Sequence, residues 1–270
     1  MGSAANEAID EANARFWDEL CGTSLAKYLG IADRSQASLR KFDDYYLTYY
    51  PYLLQHVPVA EMRGKDVLEI GLGFGTLSQE IAQSGATYNG LDIAKGPVDM
   101  VNERLRMIGA PGRAVQGSML ACPFSDNSMD RVVSIGCFHH TGNTQRCIDE
   151  TFRVLKPGGR AHIMVYNRFS YRQWLRWPKE TALALLGRET VNQAQRHAYD
   201  SDSSGDAAPE TQFFSKGQLR KMFSKFAHFS AQAENNEDLI FRGRVQVSRQ
   251  KLLPIVGPIL GLDVYITAQK

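Results

Sequence analysis

One stretch of the sequence, VLEIGLGFGTL at residues 67–77, limits the possible folds more than any other. It begins as a short apolar run typical of a buried strand, passes through Gly71, Gly73 and Gly75, and continues into a helical pattern. Glycines at such a point let the backbone turn sharply and let a ligand lie against bare main chain. The stretch therefore predicts a strand, a ligand-binding loop and a helix within a parallel sheet.

The same alternation of strand and helix patterns continues through the middle of the chain. Four more strand-like runs follow, at TYNGLDI, RAVQGS, DRVVSIGCF and GRAHIMVYN, and helical segments separate most of them. Strands that alternate with helices of about ten residues form βαβ units, whose right-handed crossovers place helices on both faces of the sheet. Two later runs, FAHFSAQAE and LDVYITAQ, are candidates for additional strands.

Composition excludes several classes of protein. The chain has 31 Lys and Arg against 29 Asp and Glu, a balance that argues against a nucleic-acid partner held by bulk charge. Its four cysteines (Cys21, Cys122, Cys137 and Cys147) show no CxxC spacing, so we expect reduced thiols and no metal site. The acidic start lacks the apolar segment of a secretory signal, and the apolar run LLPIVGPILGL is too short to span a bilayer. A cytoplasmic protein is therefore expected.

A second anchor for a ligand is Asp92, at the end of the strand-like run TYNGLD. A carboxylate at such a strand end can accept hydrogen bonds from both hydroxyls of a ribose. It follows Gly75 by 17 residues, close to the usual interval of about 20 in nucleotide-binding units. The loop itself reads GxGxG, with Thr76 where a dinucleotide fingerprint has its third glycine. Together these residues predict a nucleoside-type ligand.

With these residues, the chain resembles the class I S-adenosylmethionine-dependent methyltransferases. It is most similar to the small-molecule group that includes the ubiquinone and menaquinone C-methyltransferases and many sugar and natural-product O-methyltransferases. The resemblance covers residues 64 to about 166 and rests on VLEIGLGFG, GLDI, QGSMLACPFSDNSMDRVVSIGCFHHTGN and RVLKPGGR, in that order. It implies an α/β, Rossmann-like fold with a seven-stranded, mostly parallel sheet, helices on both faces, and a reversed last strand, for which LDVYITAQ is the candidate.

The resemblance also implies the cofactor, S-adenosyl-L-methionine, and roles for the first two motifs. In such enzymes the acid and glycines of the first motif contact the methionine part and the ribose of the cofactor. Here those residues are Glu69, Gly71, Gly73 and Gly75. The acid at the end of the second strand holds the ribose, which makes Asp92 the corresponding residue.

The later motifs supply the remaining cofactor contacts in the same way. Ile93 is expected beside the adenine, and Ile135 and Gly136 beside the methionine end. The third motif of the family usually reads GDA, with its Asp near the adenine amino group, whereas this chain reads Gly117-Ser118-Met119. We expect the Ser118 hydroxyl to hydrogen-bond there instead and Met119 to offer its backbone N–H.

Together with the helical pattern before residue 60 and the break in alternation after Asn167, these motifs lead us to expect four parts of the chain. They are an N-terminal helical cap at 1–60, a cofactor-binding core at 61–168, a lid insertion at 169–212 and the C-terminal part of the core sheet at 213–270. In similar enzymes the N-terminal helix closes over cofactor and substrate. Tyr45, Tyr46 and Tyr49 are therefore candidates to exclude water and to face the sulfonium methyl, with plain helix packing as the alternative.

Two adjacent histidines, His139 and His140, follow the fourth strand at the edge of the sheet where ligands bind. A histidine there can deprotonate a hydroxyl acceptor, because its pKa lies near neutrality. We take His140 as the better candidate for this base. The alternative is that one histidine packs in the interior and the other orders the loop together with Thr141.

A basic and aromatic segment follows the fifth strand. Arg168, Arg172 and Arg176 recur at intervals of four, on one face of a helix, and Trp174 lies among them. Such a face can bind an anionic substrate or touch a membrane surface. The alternative is a solvated basic face above an aromatic core contact.

The expected activity is methyl transfer to a small-molecule acceptor, with oxygen favoured by the histidine pair. A nicotinamide-dependent oxidoreductase would use the same glycine loop and Asp92, but the GxGxG spacing and the absence of a Tyr-x-x-x-Lys motif count against it. A second alternative is a non-catalytic relative that keeps the fold as a binding or scaffold protein.

Overall fold

The computed structural model describes residues 3–20, 28–31, 33–188, 191–202, 204–241 and 245–270. Cys21 lies outside the described residues, and the other three cysteines are free thiols. None of the helices within the described ranges is long and apolar enough to cross a membrane.

The centre of the molecule is a seven-stranded sheet in the order β3-β2-β1-β4-β5-β9-β6. Its strands are β1 (Asp66–Ile70), β2 (Thr87–Asp92), β3 (Gly112–Gln116), β4 (Met129–Ile135), β5 (Leu155–Tyr166), β6 (His228–Glu234) and β9 (Asp263–Gln269). Strand β9 pairs antiparallel with both neighbours, and the pairs among β1 to β5 are parallel. The predicted sheet with its reversed last strand is confirmed. Two short strands, β7 (Leu239–Phe241) and β8 (Val245–Val247), pair separately.

Helices cover the sheet and extend from it. They are α1 (Ser3–Leu20), α2 (Gln36–Tyr49), α3 (Leu53–His56), α4 (Thr76–Gln83), α5 (Lys95–Ile108), α6 (Thr144–Val154), α7 (Tyr171–Arg176), α8 (Pro178–Leu185), α9 (Gln193–Tyr199), α10 (Lys216–Met222), α11 (Arg249–Leu252) and α12 (Gly257–Leu260). Short 3-10 turns lie at Val59–Glu61, Met119–Ala121 and Phe138–His140.

The core lies on both faces of the central strands. Successive side chains of a strand point to opposite faces. Leu68 of β1 and Val132 of β4 accordingly belong to one apolar cluster, and Val67 and Val133 belong to the other. Burial on both faces explains why these strands read as continuous apolar runs in the sequence.

Helix α2 is fixed to the core by a buried ion pair. Arg104 of α5 donates two hydrogen bonds to the Asp43 carboxylate, at 2.8 and 2.9 Å, and Thr76 donates a third at 2.6 Å. The Arg104 guanidinium also lies over the ring of Phe74, 5.3 Å from its centroid. The ion pair therefore ties α2 to the loop that follows β1 and to α5.

The sequence predicts one helix with a basic face after β5, but the structure has two short helices there, α7 and α8. Arg168 precedes α7, and the helix ends before Pro178, which cannot continue the hydrogen-bond pattern of a preceding helix and starts α8 instead. Arg168 and Arg172 are buried, whereas Arg176 is exposed. The three arginines therefore do not form one solvent-facing stripe.

Candidate active site

A cavity of about 240 Å³ opens at the carboxyl ends of β1, β2 and β4. Strands β1 and β4 are neighbours at the point where the strand order reverses, which is where ligands bind in open α/β sheets. The lining residues are Asp10, Asn13, Trp17, Ile70, Gly71, Gly73, Leu91, Asp92, Ile93, Pro97, Gly117, Ser118, Met119, Ile135, Gly136, Cys137, His140 and Thr141.

The loop after β1 forms one wall of the cavity, and backbone atoms make up most of that wall. Gly71 has a φ of +78°, and a Cβ there would lie 2.5 Å from the Cβ of Cys137. Gly73 has a φ of +51°, and a Cβ there would meet nothing within 4 Å. Glycine adopts these conformations without the strain that a Cβ brings. Gly75 is different, because it abuts the Arg104 side chain at the start of α4 and does not line the cavity.

Asp92 is held at the cavity by backbone donors. The N–H of Leu72 donates to Asp92 Oδ2 at 2.7 Å, and that of Ala94 donates to Oδ1 at 2.9 Å. The carboxylate keeps acceptor capacity for a ligand, because each of its oxygens has two lone pairs. Burial raises the pKa of Asp92 to about 6, although these N–H groups oppose the shift. The arrangement suits a ligand with two neighbouring hydroxyls.

Glu69 lies outside the cavity. Its side chain projects on the same face of β1 as that of Val67, where Ser78 and Tyr88 donate hydrogen bonds to its Oε2 at 2.6 and 2.7 Å. Burial raises the pKa of Glu69 to about 7. The carboxylate thus joins β1 to α4 and β2, and nothing in its placement supports the predicted contact with the cofactor.

The other predicted cofactor residues all line the cavity. Ile93 follows Asp92, Ser118 and Met119 follow β3, and Ile135 and Gly136 lie at the end of β4. They come together because the carboxyl ends of parallel strands meet at one edge of the sheet.

His140 lines the cavity, and its two ring nitrogens have different surroundings. Nδ1 lies 2.7 Å from the carbonyl oxygen of Glu210, so it carries the proton and donates. Nε2 lies 3.5 Å from the Asp200 carboxylate and has no hydrogen-bond partner among the described residues. Burial lowers the pKa of His140, and the nearby Asp200 opposes that shift. The ring is therefore neutral at neutral pH.

His139 is enclosed by other rings and does not line the cavity. Its ring lies 4.0 Å from that of Tyr166 and 4.1 Å from that of His140. Burial moves the pKa of His139 well below its usual value. The structure places it as a neutral packing residue behind His140.

The candidate tyrosines do not reach the cavity. Tyr45 and Tyr49 stack on each other with ring centroids 6.0 Å apart. Tyr49 also lies under the Arg249 guanidinium, at 4.0 Å from its centroid. Tyr46 packs against the apolar cluster around Phe42, and burial raises its pKa to about 12.

Arg168, Arg172 and Trp174 also lie away from the cavity. Arg168 donates to the carbonyl oxygen of Phe213 and borders a space of only about 10 Å³, room for a single water. Arg172 forms an ion pair with Glu237 at 2.6 Å and stacks over a tyrosine ring. Trp174 stacks on a neighbouring phenylalanine. None of the three therefore offers a ready anion site in this structure.

The sequence predicted an N-terminal cap over the cofactor but did not identify which residues form the roof of the cavity. Asp10, Asn13 and Trp17 of α1 face it at helical spacings of three and four. Asn13 donates to the backbone oxygen of His140 at 2.7 Å, and the Trp17 ring lies 4.7 Å from the His140 ring. The spacing was visible in the sequence, but it says only that the three share a helix face, not what that face covers.

The charge of the cavity is distinctive. Two carboxylates, Asp10 and Asp92, line it, and none of the described lining residues is Lys or Arg. His140 adds no positive charge, because its pKa is lowered. Such a lining favours a cationic ligand and repels a diphosphate.

A class I methyltransferase fold is defined by three features found here: the reversed strand β9, the glycine loop after β1 and the acid at the end of β2. Proteins with these features use S-adenosylmethionine as cofactor. A family model described as "Methyltransferase domain" matches residues 68–163. Residues 68–163 therefore carry a methyltransferase domain of this class.

Curated methyltransferases are similar in sequence to part of this chain. A demethylmenaquinone methyltransferase of Tropheryma whipplei (strain Twist) is 31% identical over 121 residues, which are 42% of this chain and 49% of that one. A fatty-acid O-methyltransferase of Mycolicibacterium smegmatis is 29% identical over 54% of each chain. A ubiquinone biosynthesis O-methyltransferase of Pseudomonas entomophila is 29% identical over 48% of this chain and 53% of that one. The chain spans about half the length of these relatives.

Solved structures share the fold at low sequence identity. A methyltransferase of Methanosarcina mazei described as SAM-dependent superposes with a TM-score of 0.54 at 19% identity, covering 77% of this chain and 93% of that one. A putative methyltransferase of Bacillus halodurans has a TM-score of 0.56 at 16% identity, covering 81% of this chain and 98% of that one. At these identities the likeness concerns the fold alone.

Proposed function

We propose that this protein transfers the methyl group of S-adenosylmethionine to a small-molecule acceptor, and that the accepting atom is oxygen. The observation that supports the first part most strongly is the cavity at the ends of β1 and β4. It combines a backbone wall at Gly71 and Gly73, the acceptor Asp92, and no Lys or Arg among its described lining residues. A sulfonium cofactor fits this charge, whereas the diphosphate of a nicotinamide dinucleotide does not.

The residues present can hold the cofactor in one orientation. Asp92 would accept hydrogen bonds from the two ribose hydroxyls, and the bare backbone of Gly71 and Gly136 would border the amino-acid end. Leu91 and Met119 would flank the adenine with apolar surface. When bound, the cofactor supplies a methyl group activated by a positive sulfur, and the protein supplies alignment and exclusion of water.

Oxygen as the accepting atom is supported by His140. A hydroxyl loses its proton as it becomes an ether, so a nearby base assists the reaction. Nε2 of the neutral ring has a free lone pair, because Nδ1 carries the proton and donates it to Glu210. The O-methyltransferase names of two curated relatives agree with this choice.

Asp200 supports the same role. Its carboxylate lies 3.5 Å from His140 Nε2 and accepts a hydrogen bond from the Tyr166 hydroxyl at 3.0 Å. A negative charge beside the ring stabilises the imidazolium that forms when Nε2 takes a proton. Asp200 thus acts as a positioning residue for His140.

We also propose that residues 1–60 act as a cap and residues 169–212 as a lid. Support for the cap comes from α1, whose residues Asn13 and Trp17 lie over the cavity. Support for the lid comes from Asp200, which belongs to this segment and adjoins His140.

The first experiment incubates the purified protein with S-adenosylmethionine and a panel of hydroquinones, phenols, fatty acids and amines. Formation of S-adenosylhomocysteine together with a methyl ether or ester supports the proposal. An N-methylated product would exclude the oxygen part. Binding of S-adenosylmethionine without turnover on any acceptor would favour the non-catalytic alternative, and binding of a nicotinamide dinucleotide instead would favour the oxidoreductase.

The role of His140 is tested with the variant His140→Gln. We expect kcat for a hydroxyl acceptor to fall by about 100-fold or more, the usual loss for a general base, while cofactor affinity measured by calorimetry changes little. His197→Gln is the matched control, because His197 is exposed on α9. An unchanged pH–rate profile in His140→Gln would rule out the base role.

A further inference from the structure

Helix α1 places the carboxylate of Asp10 inside the cavity, and the proposed function assigns this carboxylate no role. Asp10 lies one turn before Asn13 on the same helix face, and both line the cavity. Asn13 anchors this part of the helix by its hydrogen bond to the backbone oxygen of His140. Asp10 is therefore held over the ligand space by contacts on its own helix.

The strand order locates the part of the cavity that Asp10 faces. Along the edge of the sheet the strands run β3, β2, β1 and β4. If Asp92 at the end of β2 holds the ribose and the glycines of β1 and β4 border the amino-acid end, the base of the nucleoside must point toward β3. The residues that line the cavity directly after β3 are Gly117, Ser118 and Met119. The adenine therefore belongs beside Ser118.

Asp10 and Ser118 meet at this place. Burial raises the pKa of Asp10, and a hydrogen bond from the Ser118 side chain opposes that shift. The Ser118 oxygen also accepts the N–H of Leu120 at 3.1 Å. With its proton directed to Asp10, the serine is a weaker acceptor than the carboxylate. Asp10 is half-buried and keeps further lone pairs for a ligand. The strongest hydrogen-bond acceptor at the β3 side of the cavity thus comes from α1 and not from the sheet.

We propose that Asp10 accepts a hydrogen bond from the exocyclic amino group of the cofactor's adenine, oriented by Ser118, and so selects adenine over a 6-oxo purine. The proposal rests on S-adenosylmethionine being the cofactor. Its consequence is that the base is read by the helix that covers the cavity, so a complete adenine site exists only while α1 lies over the cavity.

The test compares two ligands that differ only at position 6 of the purine. S-adenosylhomocysteine carries an amino donor there, and S-inosylhomocysteine carries a carbonyl acceptor. Dissociation constants are measured by calorimetry for the wild type and for Asp10→Asn. The matched control is Glu11→Gln, which changes the next residue on α1, an exposed one.

We expect the wild type and Glu11→Gln to prefer the adenosyl ligand by at least about tenfold, the usual value of a hydrogen bond to a charged group. Asp10→Asn should lose most of that preference, because its side-chain amide can turn and donate to the 6-oxo group. Ser118→Ala should show an intermediate preference, since the carboxylate remains but loses its orienting partner.

The outcomes separate this inference from the proposed function. If Asp10→Asn binds both ligands with the wild-type preference, Asp10 does not read the adenine while the cofactor assignment stands. If the wild type binds neither ligand, the cofactor assignment fails and the inference fails with it. A melting temperature of Asp10→Asn close to that of the wild type shows that the variant is folded.

Discussion

Asp92 and Asp263 are two buried carboxylates at the same edge of the sheet. Asp92 ends β2, and Asp263 begins β9, which runs in the opposite direction, so both lie where the parallel strands end. Burial raises the pKa of Asp92 to about 6 and that of Asp263 to about 7. By burial and charge alone, the two positions look equivalent.

Their surroundings differ. Asp92 is held by two backbone N–H groups and lines the cavity. Asp263 accepts a hydrogen bond from the Asn235 side chain at 2.9 Å, and its charge helps to raise the pKa of Tyr50 and Tyr265 nearby. Glycines leave space beside the first carboxylate, whereas aromatic side chains fill the space beside the second. A buried acid becomes a ligand site only where small residues leave room for a ligand.

The largest effect expected from this comparison is on cofactor affinity. Asp92→Ala should weaken the binding of S-adenosylhomocysteine by about 100-fold, because two hydrogen bonds to a charged acceptor are lost. Asp263→Asn should leave the dissociation constant within about twofold of the wild type. Calorimetry measures both, and circular dichroism checks that each variant is folded. Equal losses in the two variants would mean that the comparison is wrong.

The next effect is a pH dependence of binding. The ionised form of Asp92 accepts hydrogen bonds from both ribose hydroxyls more strongly than the protonated form, so affinity is full above its pKa of about 6 and falls as pH decreases through that value. Between pH 7 and pH 5 we expect a loss of about tenfold. Asp92→Asn should bind weakly but with a much flatter profile. Repeating the titration in Asp10→Asn separates any contribution from the second carboxylate of the cavity.

A smaller effect concerns stability near Asp263. Its pKa is about 7 in the folded protein and near 3.8 in the unfolded chain, so the folded state holds a proton that the unfolded state releases. This group therefore makes the protein less stable as pH rises from about 4 to 7. Between pH 5 and pH 8, the melting temperature should fall by a few degrees less in Asp263→Asn than in the wild type. A larger loss in the variant would contradict this sign.

The smallest effect is expected for Glu69→Gln. Because its carboxylate faces Ser78 and Tyr88 and does not line the cavity, cofactor affinity should stay within about twofold of the wild type. Ser78→Ala serves as a second probe of the same contact. A loss of cofactor affinity of tenfold or more in Glu69→Gln would instead support the contact between Glu69 and the cofactor that the family resemblance implies.

Much of the fold and of the cofactor site could be predicted from local patterns. The central strands were visible as apolar runs, because they are buried on both faces, and Asp92 was visible at a strand end on the edge where ligands bind. Ile93 and Gly136 were predicted only through the family resemblance. The position of Glu69 was also readable in principle, since alternation along β1 places it on the face of Val67.

The prediction was weaker where contacts join distant segments. Arg172 was expected on an exposed or ligand-binding face, yet it is buried against Glu237, which lies 65 residues later in the chain. Spacing along one helix gives the relative directions of its side chains. It does not give the partner that covers them.

The sequence by itself determined the sheet, the glycine loop and the acid at the end of β2, because each depends on residues close together in the chain or on the regular edge of a parallel sheet. Only the tertiary structure decided which acids face the cavity, that α1 covers it with Asp10, and that the tyrosines near Asp263 fill the other half of the edge. Those outcomes depend on how side chains from separate elements pack against one another, and local sequence patterns do not determine that packing.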